Sequence, residues 1–409
     1  MVPAPGSDSS VYAPNPGALV VAIDPGHGGC LDWGVPDPQR RGADYAEKMM
    51  TLAIALLLRD RLEEQGITVI LTRDADVALA GDLYPILTCT GPPFRDVNGD
   101  GLTGFGEGVE EGVRSRDELQ ARLDLVNLAR ADLLLSIHIN SITSDGVVFE
   151  IAASQTFYTD ETPWGVSATE PLAGLVQAGV VDALADVSYE RQDRGILAQN
   201  LFIVAPPLFE TTPDRPDPAK QPARGALMPA VLTEVGSITL PAEHELLLSV
   251  EGQAMIADGL LGALATWFEW RTAAVRYDAL VDGGAAGVAP PVVAGDGPLH
   301  YATALVGTAF DGLHLRLTNT GSRDWPAGLG LWAGWEVSDQ PYLRIAPPEL
   351  ARVAGEIPAL APGESVELVV VLPAQACAER AIAWLTLAGI DGSFADLGSP
   401  ALQLACRAG

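Results

Sequence analysis

Val20-Val21-Ala22-Ile23-Asp24-Pro25-Gly26-His27-Gly28-Gly29 is an apolar run that stops in a glycine-rich loop carrying one histidine. Valine and isoleucine suit a strand covered on both faces, Pro25 ends it, and the glycines let the backbone turn and leave space around His27. The stretch reads as a buried strand that delivers an imidazole to a sheet edge. Taken alone it reads equally as a tight strand-to-helix turn with a surface histidine. A second stretch of the same build favours the first reading: Leu133-Leu134-Leu135-Ser136-Ile137-His138-Ile139-Asn140 is again an apolar run ending near a histidine. Two such strands in one parallel-type sheet bring both imidazoles to its carboxyl edge, where open α/β sheets place their ligands.

Between them, residues 46–65 read as an amphipathic helix. Leu52, Leu56 and Leu62 fall on the buried side, Arg59, Arg61, Glu63 and Glu64 face water, and Gly66 stops it. Glu47 lies in its first turn, where a carboxylate also complements the helix dipole, so by itself it has a structural excuse. With the two strand-end histidines it completes the set His27, Glu47, His138. Two histidines and a glutamate with an open fourth position make a catalytic zinc arrangement, whereas structural zinc sites are closed and cysteine-rich.

Several motifs occur in order: IDPGHGG at 23–29, AEKMMTLAIAL at 46–56, GITVILTR at 66–73, ARLDLVNLARADLLLSIHIN at 121–140 and MPAVLTEVG at 228–236. Residues 17–270, which hold them, resemble the zinc-dependent N-acetylmuramoyl-L-alanine amidases of the amidase 3 type, which are cell-wall hydrolases. That resemblance implies an α/β fold, zinc on His27, Glu47 and His138, and Glu234 as the catalytic glutamate. It implies cleavage of the amide between N-acetylmuramic acid and L-alanine, peptidoglycan as partner, and an extracellular, periplasmic or wall-associated location. Asn140, just past His138, is a candidate to contact substrate or orient a ligand. Ser237 and Leu240 stand where the family usually has Phe and Asn, and the segment after Gly29 carries an extra residue before Asp32. From the residue types alone, the reading is a zinc hydrolase acting on an amide. A zinc carboxypeptidase using Arg194 or Arg224 to hold a terminal carboxylate, and a wall-binding protein with an inactive amidase fold, are the alternatives.

At 409 residues, 48% of them hydrophobic, the chain can bury two cores. Its net charge of −29 argues against nucleic acid as a partner, because that binding needs a basic surface. No run reaches eighteen consecutive apolar residues, so no transmembrane segment is expected. Residues 1–17 form a polar tail with neither the charged start nor the apolar stretch of a signal peptide. Cys30 and Cys89 lie in the front part, Cys377 and Cys406 near the end, which permits one disulfide in each part; buried free thiols are the competing account.

The organisation expected is an amidase domain over 18–272, a linker over 273–298 and a small all-β, immunoglobulin-like sandwich over 299–409. Residues 74–114 read as an insertion, and 243–270 as one long closing helix with His244 on its surface. Helix 115–131 carries Arg122 and Asn127 at positions the resemblance shares, packing being their plain role. Strands are expected over 146–151 and 195–204. Behind the linker, short alternating runs such as His314-Leu315-Arg316-Leu317-Thr318 are separated by turn clusters. On Asn319, Gly321, Trp325, Pro362, Gly363 and Trp384 this part resembles the immunoglobulin-like domain found beside BRCA1-type repeats, which implies binding to a wall or protein surface. Within the insertion, residues 96–107 fit the twelve-residue calcium loop D-x-[DN]-x-[DN]-G-x₅-E. Asp96, Asn98, Asp100, the Leu102 carbonyl and Glu107 would be its ligands, with Gly101 at the sharp turn. An acidic surface loop is the plainer alternative, and Pro92-Pro93 blocks a preceding helix.

Overall fold

The computed structural model describes residues 19–30, 32–80, 97, 116–129, 131–144, 146–160, 169–205, 225–270, 274–280, 303–306, 313–337, 350–372, 381–389, 392–394, 399 and 402–407. The front part alternates β1 (Val20–Pro25), α1 (Glu47–Glu64), β2 (Thr68–Leu71), α2 (Arg116–Leu128) and β3 (Leu133–Asn140). It continues through the hairpin β4 (Thr143–Ser144) and β5 (Val147–Val148), then β6 (Ala152–Tyr158), α3 (Thr169–Ala183), β7 (Arg191–Ala198), β8 (Ala230–Ser237), α4 (Pro241–Leu248) and α5 (Val250–Trp270). Six strands form one mixed sheet in the order β2-β1-β3-β8-β6-β7. β1, β2, β3 and β8 run parallel, while β6 is antiparallel to β8.

All six residues of β1 are buried, as its unbroken apolar run requires. Val21 and Ile23 pack with Leu135, Ile137, Leu58 and Trp267 on one face, and Val20 and Ala22 with Leu123, Val126 and Leu134 on the other. Helices therefore cover both faces, and the sheet's carboxyl edge is left for chemistry. α3 and α5 cross closely: a Cβ on Gly179 would come within 2.4 Å of the Gly259 carbonyl.

Three expectations differ from the structure. The expected strand 146–151 is instead the β4–β5 hairpin followed by β6, and the expected strand 195–204 begins earlier, as β7. The single helix expected over 243–270 is two helices bent by 81°. Ser249, extended at ψ 145°, closes α4 and caps α5, its Oγ accepting from Gly252 N at 3.0 Å. The bend brings Gly252 against the Leu246 carbonyl, 2.2 Å from where a Cβ would stand.

Among the described residues the rear part is all β. It comprises β9 (Val275–Leu280), β10 (Thr303–Val306), β11 (Leu313–Asn319), β12 (Leu329–Val337) and β13 (Leu350–Ile357), then β14 (Ser365–Val370), β15 (Ala381–Gly389), β16 (Gly392–Ser393) and β17 (Leu402–Arg407). One sheet has the order β10-β17-β15-β12-β13 with β16 on β15, the other β14-β11-β9. Leu315, Leu317, Trp325, Leu331, Leu385 and Leu387 share one buried cluster with Val275 and Tyr277. Asn319 organises the turn after β11: its Nδ2 donates to the Arg323 and Leu360 carbonyls, and its Oδ1 accepts from Gly321 N. β9 falls inside the stretch expected to be linker; it pairs antiparallel with β11 from His314↔Leu280 to Asn319↔Val275. Residues 281–298 lie outside the described residues.

Candidate metal centre

β1, β3 and β8 end side by side, and each delivers one chemistry-bearing residue to the same edge. After Pro25 the backbone is gripped rather than left to turn freely. Gly26 N donates to the Ile137 carbonyl at 2.9 Å. Arg122 donates to the carbonyls of Pro25 (2.8 Å) and His27 (2.6 Å), and Arg73 to those of Pro25 (3.0 Å) and Gly26 (2.8 Å). This grip holds His27 at φ 62°, a left-handed conformation that costs a non-glycine residue roughly 1–3 kcal/mol. Both arginines are buried, and Asp24 offsets part of their charge by accepting from Arg122 Nη1 at 2.8 Å, Thr72 Oγ1 at 2.6 Å and Ser136 Oγ at 2.6 Å. Burial alone would raise the Asp24 carboxyl, but Arg122 and the two hydroxyls outweigh it and hold it at about 2. Burial pulls Arg73 down to about 9, helped by Arg122.

His27, Glu47 and His138 converge, one donor atom from each lying within 4.8 Å of the others. Glu47 Oε1 is 3.2 Å from His27 Nε2 and 3.1 Å from His138 Nδ1, and it accepts from Ile139 N at 2.9 Å. Its Oε2 accepts from Val35 N at 2.8 Å, so the segment after the histidine loop wraps over the carboxylate. The imidazoles meet edge to face at a centroid distance of 4.7 Å. Two glycines make the cluster possible. A Cβ on Gly26 would stand 2.4 Å from the His138 ring, and one on Gly34 2.4 Å from Glu47 Oε2.

Burial opposes charge on Glu47, but His27 and His138 outweigh it and hold the carboxyl below its ordinary range. Burial likewise lowers His27, yet Glu47 and Asp32 outweigh it and push the imidazole up to about 10. Glu234 differs. It lies opposite His138 in the β3–β8 register, and its Oε2 is buried with no hydrogen-bond partner among the described residues. Burial, then the charge of Glu47, pushes its carboxyl well up. The edge thus carries an ionised carboxylate between two imidazoles and, beside them, a carboxyl that favours holding a proton.

Residues 21–266, well over half of the chain, match the amidase 3 family, described as N-acetylmuramoyl-L-alanine amidase. The chain belongs to this family of amidases. A germination-specific N-acetylmuramoyl-L-alanine amidase of Bacillus subtilis (strain 168) is 33% identical over 139 residues, which are 34% of this chain and 44% of that protein. The chain thus spans less than half the length of that curated amidase. YqiI of the same organism, an uncharacterized protein, is 22% identical over 61% of this chain and 84% of its own length. Among solved structures, the amidase AmiC2 of Nostoc punctiforme is 22% identical over 61% of this chain and 96% of that chain, with a TM-score of 0.39. The amidase from Clostridium difficile 630 is 24% identical over 61% and 97%, with a TM-score of 0.40.

Within the amidase domain, Asn140 ends β3 with its carbonyl accepting from Ile238 N at 2.9 Å. The expected calcium ligands Asp96, Asn98, Asp100, Leu102 and Glu107 lie outside the described residues. His244, expected on the surface, is buried: α4 tucks its first turn against residues 37–45, and Nε2 reaches the Tyr45 carbonyl at 3.1 Å. The start of the insertion is also core. Val77 and Leu79 are buried, and Asp76 Oδ1 accepts from Gly29 N at 2.8 Å. Cys30 is disulfide-bonded. Sequence reasoning missed the parts played by Asp24, Arg73 and Asp32; for Asp24 and Arg73 the one signal was a charged residue at the end of an apolar run.

Proposed function

We propose that this chain is a zinc-dependent N-acetylmuramoyl-L-alanine amidase that hydrolyses the amide between N-acetylmuramic acid and L-alanine in peptidoglycan. The observation that carries the proposal is the orphaned Oε2 of Glu234 beside the converging His27, Glu47 and His138. The donor set suits zinc: two imidazole nitrogens and one carboxylate oxygen, without thiolate. Zinc held by these three residues supplies Lewis acidity, which acidifies water and polarises a carbonyl. Glu234 takes a proton from the attacking water as the C–O bond forms. It returns that proton to the amide nitrogen as the C–N bond breaks, releasing the amine of L-alanine. The two proton transfers are together typically worth about 10²–10⁴-fold. Glu47 stays ionised throughout, fixed by two backbone N–H groups.

By the same reading the protein acts outside the cytoplasm on the wall, the Cys30 disulfide being at home in an oxidising setting. The rear β domain is an immunoglobulin-like module that positions the enzyme on a wall or protein surface, and the 96–107 loop binds calcium. The test pairs metal analysis with mass spectrometry of digested peptidoglycan. His27→Ala and His138→Ala should lose the zinc of the purified protein. Glu234→Gln should keep it while activity falls at least about a hundredfold. Near-normal hydrolysis by Glu234→Gln, or stoichiometric zinc in either histidine variant, would overturn the reading.

A further inference from the structure

An imidazole offers a metal only one nitrogen, and the partner of the other nitrogen decides which one is presented and how the ring lies. The two histidines of this centre solve that problem differently. His138 stands on a strand, its ring wedged between Gly26 and His27, and among the described residues its Nε2 makes no hydrogen bond. His27 stands on a loop at φ 62°, where no strand register fixes its ring. Its Nε2 faces Glu47, while its Nδ1 lies 2.7 Å from Asp32 Oδ1.

Asp32 is itself firmly placed. Gly28 N donates to the Asp32 carbonyl at 2.9 Å, an antiparallel bridge that closes a five-residue loop from Gly28 to Asp32. Gly29 in that loop is clamped from both sides, its N–H donating to Asp76 and its carbonyl accepting from Lys48 Nζ at 2.7 Å, while Lys48 and Asp76 pair at 2.6 Å. Cys30 is held by its disulfide, and its carbonyl accepts from Trp33 Nε1 at 3.0 Å. Gly34 N approaches Asp32 Oδ1 at 3.3 Å, completing the enclosure. Such fastening exceeds what a surface turn needs, and the group it immobilises is the carboxylate on His27.

We infer that Asp32 is the positioning residue of His27: its carboxylate holds the proton on Nδ1 and aims Nε2 at the metal position, and the bridged Gly28–Asp32 loop exists to place it. The inference rests on the zinc reading above but not on the identity of the substrate. With the full chain, zinc dissociation constants are measured by chelator competition for the wild type, Asp32→Ala and Asp32→Asn, alongside the melting temperature of each metal-free protein. Asp32→Ala should bind zinc about ten- to a hundredfold more weakly. Asp32→Asn, which keeps an acceptor oxygen at the same reach, should recover most of that loss. Both should melt with the wild type, because the Asp32 side chain is partly exposed. The His27 Nδ1–H proton resonance of the zinc-loaded protein should be present in the wild type and absent in Asp32→Ala. Equal zinc affinity in Asp32→Ala, or equal impairment of both variants with lowered melting temperatures, overturns the inference. A wild type that binds no zinc overturns it together with the zinc reading. A wild type that binds zinc without cleaving peptidoglycan overturns only the amidase reading, and the Asp32 comparison still decides.

Discussion

Asp24 carries a full charge at 1% exposure and meets Arg122, which comes from a helix 98 residues further along. Removing Asp24 leaves the buried Arg122 guanidinium with Glu118 as its remaining ion partner, so the loss stays below the about 3–5 kcal/mol of a wholly broken buried pair. Asp24→Asn should therefore unfold at lower urea, and a loss under about 1 kcal/mol would show that the pair is not needed. The pH dependence has a definite sign. The folded carboxyl sits at about 2 against 3.8 unfolded, so its stabilisation is present above pH 3.8 and is lost as pH falls through about 2. Unfolding between pH 5 and 2 should be less acid-dependent in Asp24→Asn. The convergence of His27, Glu47 and His138 was legible because His27 follows a strand, His138 lies near the end of one and Glu47 opens a helix, each with a period that could be counted, whereas Glu234 was singled out by the family resemblance. The Asp24–Arg122 pair was not, since a charge is neutralised by a residue no local pattern points to. His244 was misplaced for a related reason: its burial depends on residues 37–45 folding back over α4, and no periodicity records that.

α1, β1 and β3 are written in the sequence as apolar periods with clear stops, and they appear within one or two residues of expectation, while α2, expected over 115–131, ends at Leu128. The bend between α4 and α5 was hidden, because Ser249 and Gly252 interrupt neither the apolar period nor the composition. The insertion is the element where chemistry and fold meet. Glu118 in α2 accepts from Ala80 N at 2.9 Å and from Arg122 Nη2 at 2.9 Å, and Arg122 in turn holds the His27 carbonyl. Val97, inside the proposed calcium loop, donates to Asp117 Oδ1 at 2.7 Å in the first turn of α2. Calcium bound by Asp96, Asn98, Asp100 and Glu107 would thus stabilise a segment fastened at Val97 to the helix that grips the His27 loop. Added calcium should raise the melting temperature and protect residues 90–112 from proteolysis, and Asp100→Ala should abolish both effects. The same protection in the presence of a chelator would leave the loop as acidic surface.

At the scale of the whole molecule, the boundary between the two parts runs along β9. The amidase family match ends at residue 266 and α5 at Trp270, so every residue proposed for catalysis precedes the boundary. The rear part needs β9 from its own side of that boundary. β9 is an outer strand of the β14-β11-β9 sheet, it contributes Val275 and Tyr277 to the rear core, and the Tyr277 hydroxyl accepts from Leu387 N at 3.1 Å. Arg276, on the same strand, reaches back to Asp132 of the front part at 3.6 Å. A Gly-, Ala- and Pro-rich composition over 273–298 disguised this strand, whose six residues are too few to stand out before such a run. A rear fragment beginning at residue 299 lacks a strand and two core side chains, a loss of several kcal/mol at about 25 cal/mol per Å² of buried apolar surface. A fragment beginning at 274 keeps them. The 274–409 fragment should melt cooperatively and the 299–409 fragment should not, as followed by circular dichroism, while residues 19–270 alone should retain zinc and peptidoglycan hydrolysis. Cooperative melting of both fragments at the same temperature would put β9 outside the rear core, and loss of zinc from an intact 19–270 piece would mean that the rear part supports the metal loop.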